Sequence, residues 1–415
     1  MIPRPDLLDE RSPDGIEVVQ LTDEPDVPSC HVYMEAHVFT PDSRRIVLHR
    51  GADPHGHSNR NPEHRYLLCD LEDTCRLTPL TEEQGATGMA VSPDGRWLYY
   101  FVDETQPGEG QLALKRVGLD GTGRETLMVV DGPLSGTGLR PSRAYPHATV
   151  RTDGRRLAEP VFLGDGRTAH QPPFGLMVFD LAKATVELVL HGPSWCNIHA
   201  QYSRSTDVAH AHDILVQENH GNVTDASGHR QRYTGDLGAD IHVIRDDGTH
   251  LRDLPWGRDG NEHCQGHQCW RGCTTWAITS TARRDPPQWE LIEGRAVEHQ
   301  GHIGSRSQGA IRNDLSCWFP TPGFSHFGVT ADGRRMITDC EPFAEGGRIF
   351  LASLGKPGEE PIQEFAYLLS PRAKDTKTTH IHPFPSPDGT MAFFNSDESG
   401  VLQAYMVTGI DRVSP

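Results

Sequence analysis

"VSPDGRWLYYFV", residues 91–102, is the stretch that decides the fold. A short apolar run stops at Ser-Pro-Asp-Gly, which is turn chemistry, and a second run then alternates apolar and polar residues. The reading is a strand, a tight turn and an antiparallel partner. The pattern returns as "FTPDSRRIVLHR" from Phe39, "VRTDGRRLAEPV" from Val150, "VTADGRRMITDC" from Val329 and "PSPDGTMAFFNS" from Pro385. The turn aspartates Asp42, Asp94, Asp153, Asp332 and Asp388 lie 52, 59, 179 and 56 residues apart. Two degenerate copies fill the wide gap, "QYSRSTDVAHAHDILVQ" turning near Asp207 and "GHQCWRGCTTWAITS" turning near Arg271.

A second motif accompanies these units, an outer strand ending in its own turn. It reads "RYLLCDLEDTCRLTPLT", "LALKRVGLDGTGRETLM", "GLMVFDLAKATVELVL" and "DIHVIRDDGTHLRDL". Each unit is so a four-stranded antiparallel sheet, and 415 residues over seven units gives about 59 residues each. The sequence predicts an all-β chain, a seven-bladed β-propeller spanning residues 1–415 as a single domain.

Composition agrees with many short strands joined by turns: 42 glycines and 31 prolines, with apolar residues spread along the whole length. A net charge of −18 argues against a nucleic-acid partner, although a few arginines in one pocket can still hold an acidic small molecule. No apolar run of about 18 residues is present, so no membrane span is expected. The opening "MIPRPDLLDERSPDG" has no apolar core of a signal peptide, and nine cysteines, an odd number without a small-domain framework, suit reduced thiols. The expected location is cytoplasmic.

Propellers gather functional residues where inner strands meet the central channel. "KTTHIHPFPSPDG", residues 377–389, puts His380 and His382 one residue apart just before a turn. In an extended strand both rings would point the same way. The pair reads either as a metal clamp or as two polar residues on a wet sheet face. Histidines recur at similar offsets from other turns: His147 in "YPHATVRTDG", His199 in "CNIHAQYSRS" with Arg204 beyond it, His267 in "GHQCWRGC" and His326 in "FSHFGVTADG". Recurrence at one position favours a shared role. Cys264, Cys269 and Cys273 fit no common zinc spacing and read as packing residues.

On these residues the chain resembles the oligogalacturonate lyase family, propeller enzymes that cleave pectin fragments with a manganese-type metal. The resemblance covers "GIEVVQLTDEPDVPSCHVYMEAHVFTPDSRRIVLHRG", "GATGMAVSPDGRWLYYF", "GHQCW" and "THIHPFPSPDGTMAFFNSDESGVLQAYMV". It implies a divalent cofactor, Mn2+ ahead of Ca2+ or Zn2+, on His267, His380 and His382. Lys377 stands where the family has a glutamine ligand, and becomes a substrate-binding candidate with His147 and His326. Arg204 matches the family's catalytic arginine. His220 in "LVQENHGNV" falls one place later than a gapless alignment sets the catalytic histidine, with His199 as a further catalytic candidate. "TDASGHRQRYTGD" is an insertion, and "GADPHGHSNRNPEH" is longer and richer in His and Arg than the family pattern. The implied partner is a small acidic oligosaccharide, cleaved by β-elimination to a 4,5-unsaturated uronate. A lyase of rhamnosyl-α-1,4-glucuronate linkages and a non-catalytic TolB-like binding module are the alternatives.

Overall fold

The computed structural model describes residues 1–56, 60–168, 170–232, 239–256, 262–283, 289–292, 295–298, 300–306, 311–316, 324–343, 346–357, 362, 365–373 and 378–415. The chain is a β-propeller of antiparallel sheets, with helix among the described residues confined to single 3-10 turns such as Pro5–Leu7 and Ile410–Arg412. No helix among them is long and apolar enough to cross a membrane.

The Asp-Gly turns form for the reason the sequence suggests. In four of them a Ser or Thr hydroxyl donates to the turn aspartate: Thr40 to Asp42, Ser92 to Asp94, Thr330 to Asp332 and Ser386 to Asp388, at 2.5–2.6 Å. The same carboxylate accepts an amide two residues on, as from Arg96 and Arg334. Gly95, Gly154, Gly333 and Gly389 follow with φ between 67° and 72°, a left-handed backbone that glycine adopts without cost. One hydrogen bond closes each turn. The amides of Thr40, Ser92, Arg151, Ser203, Arg271, Thr330 and Ser386 donate to the carbonyl of the returning strand at 2.7–3.0 Å. That bond fixes the register of every inner strand.

The strands assemble into six blade-like sheets among the described residues, where the sequence predicted seven. Five have four or five strands. The sixth has eight, running from Gln201–Tyr202 through Arg312–Ser316, and its two halves meet at a single pairing, Ala239 with Cys264. The difference from the prediction arises there, because two neighbouring arrays are stitched into one sheet. The ring closes through the first and last strands. Glu17–Gln20 pairs with Gln403–Thr408, so one sheet contains both ends of the chain. Buried apolar side chains fill the wedges between sheets, with Tyr100, Phe393 and Met406 in one cluster and Phe101, Leu157 and Phe179 in the next.

One buried acid breaks the apolar rule. Glu159 is fully buried between the second and third sheets and neither carboxylate oxygen has a hydrogen-bond donor. It packs where Gly88 has no side chain, since a Cβ there would lie 2.9 Å from its Oε1. Burial, with Asp103 adding to it, holds its pKa well above the ordinary glutamate value, against a smaller opposing pull from the Tyr145 amide, which already donates to the Pro160 carbonyl at 3.0 Å. An acid whose folded pKa is raised keeps its proton while the unfolded chain releases it. Stability is therefore full below the ordinary value and falls as pH rises above it, by up to about 1.4 kcal/mol per unit until the folded pKa is reached. Glu159→Gln removes that dependence. Melting curves should show the variant gaining on the parent from pH 5 to pH 8, and an unchanged difference would mean that Glu159 does not bind the proton.

Candidate metal centre

Counting back four residues from the amide that closes each turn gives Ala36, Gly88, His147, His199, His267, His326 and His382. Five histidines so occupy one register position of the inner strands and face one channel. The strands are interrupted at that level. Their pairing shifts register between Thr87 and Ala90, Cys264 and Gln268, and Phe324 and Phe327. Gly88, His199 and His382 have φ of 58°, 49° and 44°, and Gly266, one residue before His267, has 93°. Such irregularities re-aim side chains, and a left-handed non-glycine residue costs roughly 1–3 kcal/mol. They correct the extended reading of His-x-His. The strand begins only at Phe384–Pro385, and His382 turns left-handed. The two rings still face together, stacked with centroids 4.9 Å apart at 26°.

Ring contacts define a continuous cluster. His267 meets His326 at 4.4 Å, His326 meets His382 at 4.5 Å and His380 at 4.9 Å, and His55 lies 5.0 Å from both His380 and His382. Tyr33 stands at its edge, 4.8 Å from His382 and 5.2 Å from both His147 and His199. The structure thus brings together His267, His380 and His382, with His326 between them and His147 and His199 across Tyr33. Lys377 lies outside the described residues.

Three members were not singled out from sequence. His55 arrives from "GADPHGHSN", and the histidine richness of that segment was its one signal. Tyr33 and Glu35 sit in the apolar run "VYMEAHV", where a lone charge among buried apolar residues was the clue.

The electrostatics favour neutral rings. Burial first, then the neighbouring histidines led by His326, drive His267 and His382 well below the ordinary histidine value. Both ring nitrogens of His382 are buried without a hydrogen-bond partner. Two carboxylates orient other rings. His326 Nδ1 donates to Asp339 Oδ2 at 2.8 Å, and Asp339 Oδ1 accepts the His326 amide at 2.9 Å. His199 Nδ1 donates to Glu35 Oε2 at 2.9 Å, and burial raises the pKa of Glu35 while His199 opposes the rise. At His199 the carboxylate on Nδ1 turns Nε2 toward the channel, the arrangement that metal-binding histidines use.

A divalent ion fits this set. His55, His380 and His382 offer ring nitrogens all within 4.8 Å of one another. Neutral imidazoles suit Mn2+ or Zn2+, and an ion would satisfy nitrogens that burial otherwise leaves at a cost.

Two further expected catalytic residues have these surroundings. Arg204 follows the turn residue Ser203, five residues beyond His199. Its neighbours are His37, whose pKa is lowered to about 3 mainly by burial and then by this cation, and Cys269. With Glu35, Ala36, Trp270 and Phe384 it lines one pocket. His220 follows the strand Asp213–Asn219 at the rim, its Nε2 2.6 Å from Asp240 Oδ2 and 3.7 Å from Glu218 Oε2.

Comparison with solved structures finds the same fold in an oligogalacturonate lyase in complex with manganese, at 20% identity and TM-score 0.68 over 95% of this chain and 93% of that one. An oligogalacturonate lyase from Vibrio parahaemolyticus matches at 17% identity and TM-score 0.67 over 96% and 95%. No family model and no curated protein sequence matches.

If the cluster holds a cation, ligand binding must stabilise the fold. Chelator-stripped protein should melt higher on adding Mn2+, by about 2.7 kcal/mol at a hundredfold excess over Kd. His382→Ala should abolish that gain, read by calorimetry; an equal gain in the variant would place the ion elsewhere.

Proposed function

We propose that the chain is a uronate lyase that cleaves acidic oligosaccharides by β-elimination, with a divalent ion, Mn2+ first, on His267, His380 and His382. The carrying observation is the histidine ring, above all His382, whose two buried nitrogens lack hydrogen-bond partners. The fold shared with the manganese-bound lyase supports the same reading. We also read the eight-stranded sheet as two blades joined at Ala239 and Cys264, which makes seven blades in one domain.

β-Elimination removes a weakly acidic proton from the carbon next to a sugar carboxylate. The C–H electron pair becomes the new C4–C5 double bond, and the C4–O4 bond breaks with its pair on O4, which takes up a proton. An ion held by these histidines would supply charge neutralisation at the carboxylate, where negative charge builds.

The residues of the ring do the rest. His199 is the base in this reading. Glu35 on Nδ1 fixes its tautomer, directs Nε2 into the channel and stabilises the imidazolium that forms. Its contact with Tyr33, which also touches His382, keeps it beside the metal ligands. His147, stacked on Tyr33 at 14°, and His326 are placed to position the sugar. Arg204 lines a pocket with Glu35, the residue that orients His199, and His220 pairs with Asp240.

A panel of oligogalacturonates and rhamnosyl-glucuronate oligosaccharides, incubated with Mn2+-loaded protein, should yield the ultraviolet absorbance of a conjugated unsaturated uronate for at least one member. His199→Ala should lower turnover roughly 10²–10⁴-fold with the ion retained, while His220→Ala changes it far less. Binding without product across the panel would leave a binding module. The reverse ranking of the two variants would move the base to the rim.

A further inference from the structure

The rim cluster around His220 is built like a ligand site in its own right. The strand Asp213–Asn219 ends beside the segment that leads into His199. The Gln217 amide donates to the Ile198 carbonyl at 2.7 Å and the Asn219 amide to the Ser194 carbonyl at 2.8 Å. Glu218, His220 and, from the adjoining strand Ala239–Arg245, Asp240 therefore gather at the same mouth of the channel as the histidine ring. Their ligand atoms all lie within 4.8 Å of one another.

His242 completes the group from beneath. Its Nδ1 lies 2.8 Å from Asp253 Oδ1, and its Nε2 lies 3.2 Å from Glu218 Oε2. His242 is only 3% exposed, and its Nε2 makes no hydrogen bond of sound geometry although it points at the Glu218 carboxylate.

We propose that Glu218, His220, Asp240 and His242 hold a second divalent cation, separate from the ion of the histidine ring and independent of the lyase reading. The separations suit it. Ligands about 2.1 Å from a metal lie ~3.0 Å apart in an octahedral shell and ~3.4 Å apart in a tetrahedral one. The structure has 3.2 Å between His242 and Glu218 and 3.7 Å between His220 and Glu218. The 2.6 Å contact of His220 with Asp240 opens slightly as the ion enters. Outer contacts are already in place. Ser194 Oγ donates to Glu218 Oε1 at 2.6 Å and leaves Oε2 to the ion, and Asp253 fixes the tautomer of His242. Two imidazoles with two carboxylates select a borderline ion such as Zn2+ over Mg2+.

The test counts ions in a protein whose channel cradle is disabled. Chelator-stripped His380→Ala/His382→Ala protein, dialysed against Zn2+ and assayed by elemental analysis, should keep about one ion per chain. Adding Glu218→Gln or Asp240→Asn should remove it, and Asp253→Asn should weaken Zn2+ binding tenfold to a hundredfold, read by titration calorimetry. Circular dichroism identifies folded samples, and His267→Ala replaces the double variant if that one fails to fold. Absence of Zn2+ from the folded channel variant, or binding that survives both Glu218→Gln and Asp240→Asn, overturns the proposal.

Discussion

The hydrogen bond that closes each inner turn is the constraint on which the rest depends. It forms at the same place in every repeat, from Thr40 to Ser386, so positions counted back from it are equivalent around the ring. In a propeller those positions converge on one narrow space. A residue type repeated at a single register therefore becomes a layer, without any long-range contact having to be specified separately. Five histidines four residues before the turn make one such layer. The two repeats without a histidine there carry Ala36 and Gly88, which leave room for the others.

Layering imidazoles at one depth has electrostatic consequences. Burial first, then the neighbouring rings, holds His267 and His382 well below the ordinary histidine value. A neutral ring needs an acceptor for its N–H and a donor or cation for its lone pair; Asp339 and Glu35 accept the N–H of His326 and His199, while neither nitrogen of His382 has a hydrogen-bond partner. The left-handed backbone at His199 and His382 is the cost of aiming those rings. A regular strand would alternate faces and send neighbouring side chains into the blade interface instead.

The propeller was legible because Asp-Gly turn chemistry is local: a hydroxyl, a carboxylate and one left-handed glycine suffice, and all three are written in a few letters. The blade count was less so, since whether two arrays stay separate depends on one edge pairing, Ala239 with Cys264, that no local pattern encodes. The histidine layer could be read from offsets alone. His55 could not, because it reaches the cluster through a loop whose path tertiary packing decides. The geometry of His-x-His was misread as extended, since nothing in "THIHPF" announces a left-handed residue. Counting along a strand names no partner: His220 pairs with Asp240, and Arg204 lines a pocket with Glu35.

Closure of the ring through both ends of the chain has a consequence for biosynthesis. Glu17–Gln20 leaves the ribosome early and waits for Gln403–Thr408, its partner in the last sheet. His380 and His382 lie just before the inner strand of that sheet, Phe384–Pro385. The pair is therefore anchored only once the two ends of the chain have met, and a nascent or truncated chain presents an incomplete histidine cluster.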